Sequence, residues 1–259
     1  MYTKNNLVYI LTYTLNKYKN MNTLFIIHKN RLFTSDWHIF HKNIWKYEDR
    51  FSFIWKSEEN LIYSDKMSLL SQYERDVEIL KNDFIFFTKV FEELKKQIEV
   101  WKIKEFYCLW DFIFELNLTK LERIKELNIN FYNLLLEIFW YLKQKKIKTY
   151  LILWNHDKVK EDVIWFYKTL FNEVLPYLYI ENENILISHV PVNRKNIKIK
   201  DSCSNYLLWP ILEQVKKKKK LINYHGHTHS KLPKELIEVD KWVKYINTCL
   251  DLYLWKLSW

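Results

Sequence analysis

The chain has 259 residues, with 41 Lys and Arg against 31 Asp and Glu for a formal net charge of +10. Its 49% hydrophobic and 18% aromatic content excludes intrinsic disorder, because that much apolar surface offsets the entropy of ordering. Three widely spaced cysteines (Cys108, Cys203 and Cys249) exclude a disulfide scaffold and fit a reducing, cytoplasmic setting.

Taken in order, residues 1–30 read as an N-terminal extension, with Met21 as an alternative start. The apolar stretch from Leu7 to Leu15 is interrupted by Thr12, Tyr13 and Thr14 and falls short of the roughly 20 residues of a membrane span, so no membrane is expected. Residues 31–259 read as one domain in which short β-rich runs alternate with helical periods, the pattern of an α/β fold. Arg31 to Asp36 is the first strand. Residues 59–100 carry apolar positions mostly three or four apart (Leu69, Tyr73, Val77, Leu80, Phe84, Phe87, Phe91, Leu94, Ile98), which predicts amphipathic helix; Asn82 and Asp83 are where it would divide. Glu105 to Trp110 is a strand, Leu118 to Lys145 a helix and Ile147 to Trp154 a buried strand. A helix over residues 160–170 follows, then a hairpin around residues 181–184. Leu221 to His225 and Val243 to Leu250 supply the late strands.

Charge is less informative. The chain is rich in Lys, Asn and Ile and poor in Gly and Pro, the imprint of an AT-rich coding sequence, so lysine excess need not mark nucleic acid binding. The run Lys216 to Lys220 is its sharpest basic patch, and such runs are usually solvated.

The eight histidines are placed with more purpose. His38 follows Asp36, His156 lies in WNHD, His189 ends ILISH, and His225, His227 and His229 form HGHTH. Asp36, Asp111, Asn155, His189 and His227 all fall at or just past the carboxyl end of an expected strand, the edge where open α/β sheets bind ligands. Imidazole, carboxylate and amide donors together suit Mn, Fe, Zn or Ni and are too nitrogen-rich for calcium. Two ions are indicated, because Asp36, His38, Asp111, Asn155, His189, His227 and His229 make seven donors and one ion needs about four to six. Asp36 and His38 would lie on one side of an extended segment, since strand side chains repeat every two residues.

The series SDWH (35–38), WD (110–111), WNHD (154–157), SHVP (188–191) and GHTH (226–229) resembles, in order and separation, the motifs of the calcineurin-like metallophosphoesterases, with a flavour of the small bacterial and phage-type members. The resemblance implies a four-layer α/β/β/α sandwich of two mixed sheets, with residues 59–100 as a helical insertion that covers the site or makes an oligomer contact. It also implies roles: Asp36, His38 and His229 on one divalent ion, Asn155, His189 and His227 on the other, Asp111 bridging. His156 would protonate the leaving group, oriented by Asp157, while metal-activated hydroxide attacks a phosphate mono- or diester. His41 and Arg50 would lie on the phosphate side. The implied substrate is a phosphorylated small molecule or nucleotide, with nucleic acid as an alternative.

The chain departs from the family pattern at Trp110 and Trp154, where the family has glycine, and at Phe40, where relatives often have it. A side chain at 110 or 154 would crowd the metals. One reading is a degenerate, catalytically impaired binding or regulatory protein. The other is a gene whose UGA codons are read as glycine and shown here as tryptophan, which joins the twelve tryptophans to the single glycine.

Overall fold

A computed structural model describes residues 24–41, 67, 69–109, 112–113, 118–153, 161–189, 221–226 and 243–250. The chain enters through a hairpin of β1 (Ile26–His28) and β2 (Arg31–Ser35), turned at Lys29, whose φ of 58° places a lysine where glycine is usual. Strands β3 (Glu105–Leu109), β4 (Lys148–Ile152) and β5 (Glu173–Leu175) follow β2 in parallel, giving a five-stranded mixed sheet in the order β1-β2-β3-β4-β5. A second mixed sheet runs β6 (Leu178–Ile180), β7 (Ile185–Ile187), β8 (Leu221–His225), β9 (Val243–Asn247), with only the β6–β7 pair antiparallel.

Four helices are described: α1 (Gln72–Trp101), α2 (Leu118–Leu127), α3 (Ile129–Gln144) and α4 (Glu161–Leu170). Helix α1 starts at a capping box, in which the Ser71 hydroxyl accepts the Glu74 amide and the Glu74 carboxylate accepts the Ser71 amide. It does not divide at Asn82 and Asp83, which are both buried within it. The expected single helix from Leu118 to Lys145 does divide, because the Asn128 side chain turns back to accept the Phe131 amide and caps α3. Strands β1 and β5 were not anticipated.

Alternation along the strands sorts the core. Leu32, Phe106, Cys108 and Leu151 join α1, α3 and α4 residues such as Phe87, Leu94, Ile138 and Phe166 in one cluster, so helices cover one face of the first sheet. Phe33, Tyr107, Leu109, Tyr150 and Ile152 point the other way and share a cluster with Ile185, Ile187 and Tyr224 of the second sheet. An aromatic stack crosses this interface, from Tyr150 to Tyr107 (4.5 Å between centroids), to Phe33 (4.9 Å), to Tyr224 (4.1 Å), and on to His28 (6.0 Å). Each fully buried ring of this kind contributes about 1.5–3 kcal/mol through burial.

The amino ends of these strands are held by ion pairs. Arg31 contacts Glu105 at 2.7 Å and Glu183, in the β6–β7 turn, at 2.8 Å, while Lys29 reaches the same Glu183 at 2.5 Å. The buried Tyr107 hydroxyl also donates to Glu105 at 2.8 Å; burial, and then the neighbouring carboxylate, push this phenol well above its usual range, so it stays a donor. Glu183 therefore ties the second sheet to the first at one edge, which fixes how the carboxyl ends meet at the other.

Candidate functional site

At that other edge the chain leaves β2 through Ser35, Asp36 and His38, leaves β7 through Ser188 and His189, and leaves β8 through His225 and Gly226. These ends are bound to one another. The Gly226 amide donates to the His189 carbonyl at 2.8 Å, the Ser188 amide to the Tyr224 carbonyl at 3.1 Å, and the Ser35 amide to the Thr248 carbonyl at 3.0 Å. The Thr248 amide in turn donates to the His225 carbonyl at 2.7 Å, and a parallel bridge joins Ser35 to Cys249. The first and second sheets are thereby sewn together at the segment that carries Asp36.

Asp36 has no exposed surface, and its Oδ2 accepts the Ser35 hydroxyl at 2.5 Å. The neighbour across the seam is Gly226. A β-carbon on Gly226 would stand 2.5 Å from Ser35 Oγ and 2.7 Å from Asp36 Oδ2, distances that real Cβ atoms do not tolerate. The chain's only glycine thus occupies a position where the backbone must press against a carboxylate.

His189 is 1% exposed, and its Nδ1 lies 3.3 Å from the Leu109 carbonyl oxygen. A carbonyl only accepts, so this contact puts the proton on Nδ1, the orientation in which a ligating histidine is commonly held. Leu109 is the last residue of β3, two places before Asp111 in the chain.

The segment after β2 is not extended, contrary to expectation. Asp36, His38 and Phe40 stand at φ 57°, 49° and 59°, the left-handed region, where a residue other than glycine costs of order 1–3 kcal/mol. The segment holds this shape because Trp37 between them is fully buried, its indole donating to Thr34 Oγ1 at 2.9 Å and packing on Phe87 and Phe112. The Ile39 amide also bonds the Phe112 carbonyl at 3.1 Å. Phe40, one of the departures from the glycine pattern, sits at a backbone angle that favours glycine. His38 is 7% exposed, and the ring of half-buried His41 meets it edge to face at 5.4 Å.

Of the expected site residues, Asp36, His38, His41 and His189 are described. Asp36 lies close against Gly226, the Gly226 amide donates to the His189 carbonyl, and His41 lies against His38. Asp111, Asn155, His156, Asp157, His227, His229 and Arg50 lie outside the described residues, as do Trp110 and Trp154. Among the described residues, no three His, Cys, Asp or Glu side chains form a group that could hold a metal; four of the seven expected donors are not among them. What is described fits a metal site in two respects, the backbone pressed on Asp36 and the orientation of His189. His225 is buried, with Nδ1 3.0 Å from the Gly226 carbonyl oxygen and its ring against Tyr245.

Sequence reasoning missed Ser35, which hydrogen-bonds Asp36, and Thr248, whose hydroxyl lies 3.0 Å from the His225 carbonyl and 3.2 Å from Ser35 Oγ. Adjacency to Asp36 was the available signal for Ser35; Thr248 offered none. Among the described residues no helix is long and apolar enough to cross a membrane. No family model, curated protein or solved structure matches this chain.

Proposed function

We propose that the chain is a dinuclear metal-dependent phosphoesterase of the calcineurin-like type, acting in the cytoplasm on a phosphorylated small molecule or nucleotide. The observation that carries this reading is the meeting of Asp36, His189 and Gly226, drawn from the first, fourth and fifth motifs of the series, at one strand edge. The two mixed sheets sharing one core, with helices over the first, support the four-layer sandwich that goes with it.

In this reading Asp36, His38, Asp111, Asn155, His189, His227 and His229 hold two ions of Mn, Fe, Zn or Ni. Such ions supply Lewis acidity toward the phosphoryl oxygens and lower the pKa of water. The chain's own groups do the rest. Ser35 and the Leu109 carbonyl fix the orientation of Asp36 and His189. His156, charged through its neighbour Asp157, delivers a proton to the departing ester oxygen. His41 and Arg50 receive the phosphate.

Metal analysis combined with hydrolysis of generic phosphate mono- and diesters tests the proposal. Two bound ions and an activity lost in His156→Ala are expected. Trp110 and Trp154 favour the second reading, a binding protein without turnover, and protein made with both tryptophans that neither binds metal nor hydrolyses either ester would establish it. A nuclease variant of the reading requires DNA binding that falls steeply with salt and weakens when Lys216 to Lys220 are neutralised.

A further inference from the structure

Helix α1 carries Asn82 and Asp83 in the middle of its buried face, exposed by 1% and 0%. A carboxylate that far from water is costly unless it is hydrogen-bonded or paired. Oδ2 of Asp83 accepts the backbone amide of Phe40 at 2.7 Å, a contact across 43 positions of sequence. That amide lies two residues past His38 and four past Asp36, in a stretch where three non-glycine residues adopt left-handed φ. Such a backbone persists only where its surroundings over-determine it.

Other anchors of the stretch include Trp37 on Thr34 and Phe87, Ile39 on Phe112, and the His41 amide on the His38 carbonyl at 3.2 Å. From α1, Asp83 adds its hydrogen bond to the packing of Phe87 on Trp37. Its flanks fix the reach of the carboxylate, since Leu80, Phe86 and Phe87 are fully buried against the sheet. A polar pair that reads in sequence as a helix break is instead a hydrogen-bonding post inside an unbroken helix.

We infer that Asp83 is a positioning residue, holding the 36–41 segment in the left-handed shape that presents Asp36 and His38; the inference rests on the metal-site reading above. The carboxylate does not touch the reacting groups. It acts through the Phe40 amide, so its removal should release the segment without loosening the helix that carries it.

Hydrogen–deuterium exchange on the full-length, metal-free chain tests this, with a Mn²⁺ titration in parallel. In Asp83→Ala, exchange over residues 36–41 should rise at least about tenfold while α1 keeps its protection. Asp83→Asn keeps an oxygen acceptor and should stay within about threefold of the starting protein. Phe40→Gly makes φ near 59° freely accessible, so the effect of D83A should shrink in the F40G background, a coupling that a packing role for Asp83 would not produce. Mn²⁺ affinity should fall in the same order. Unchanged exchange over 36–41 in D83A, equal loosening of α1, equal effects of D83A and D83N, or no shrinkage with F40G would each overturn the inference. Should D83A alone fail to fold, F40G/D83A must fold and protect the segment, and its failure too would overturn it. A starting protein that binds no Mn²⁺ would sink the metal-site reading, while the exchange pattern still decides the role of Asp83.

Discussion

Gly226 lies so close to Asp36 that an added β-carbon would stand 2.7 Å from the carboxylate oxygen Oδ2. Two further contacts, at 2.5 and 2.7 Å, would be made with Ser35, which itself hydrogen-bonds Asp36. Short side chains on a sheet edge have little room to retreat. Gly226→Ala should therefore destabilise the fold by roughly 1–3 kcal/mol, the range for overpacking a close-packed site. Urea unfolding would measure it. Ser35→Gly in the same chain removes two of the three contacts and should return part of the loss; no recovery would show that the strain lies elsewhere.

Acid should weaken the clamp between the sheets. The Glu183 carboxyl is held below its usual value of 4.5 by the hydrogen bond from Lys29 and then by Arg31. A folded-state pKa below the unfolded one contributes stability that is present above about pH 4.5 and is lost as pH falls through the lower value. Partly exposed pairs of this kind contribute about 1 kcal/mol at most. Glu183→Gln should thus cost about that much at pH 7, and the gap between the two proteins should narrow as pH falls below 4.5 and through the lower value. His28 adds an earlier step of the same sign. Burial, and then Lys29, hold its pKa below 6.5, so its contribution fades as pH drops below that value. Unfolding curves from pH 7 to 3, compared with His28→Gln and E183Q, separate the two steps. A gap for E183Q that does not narrow as pH falls below 4.5 would mean the ion pairs are not its source.

The parts of the fold legible in sequence are those decided locally. Runs such as Phe106–Leu109 and Tyr150–Ile152 bury both faces and read as strands whatever surrounds them. What was not legible depends on distant partners. Asp83 looks like a helix break until its bond to Phe40 is known, and the period of α2 and α3 runs smoothly across Asn128 because its capping role shows only in backbone geometry. Strands β1 and β5 have three residues each and exist through pairing with β2 and β4. The left-handed turns at Asp36, His38 and Phe40 were hidden for a different reason: none is glycine, the residue that normally announces such a backbone. For the site, the order of motifs pointed to Asp36 and His189, whereas Ser35, Thr248 and Asp83 act through hydrogen bonds that no motif records.

Two tryptophans use their side chains in the described structure and two others stand at glycine positions of the motif pattern, and this yields a prediction about the gene. Trp37 fills the core with no exposed surface, donates from its indole to Thr34, and lies 5.2 Å from Phe87 and 5.3 Å from Phe112. Glycine there would empty the space of the largest side chain and cost at least about 3–5 kcal/mol, the range for truncating a buried aromatic to alanine, besides freeing the backbone that carries Asp36 and His38. Trp101 likewise uses its indole, donating to Gln97 at 3.0 Å. Trp110 and Trp154 stand where the motif pattern has glycine beside the expected metals. If UGA is read as glycine in the source, codons 110 and 154 should be UGA, codons 37 and 101 should be UGG, and peptide masses from the natural protein should show glycine at 110 and 154. Recombinant W110G/W154G protein should then bind Mn²⁺ more tightly than the chain with both tryptophans. UGG at codons 110 and 154 ends the recoding idea and leaves the two indoles as part of the working protein, in which case the W110G/W154G pair should bind metal no better than the chain as it stands.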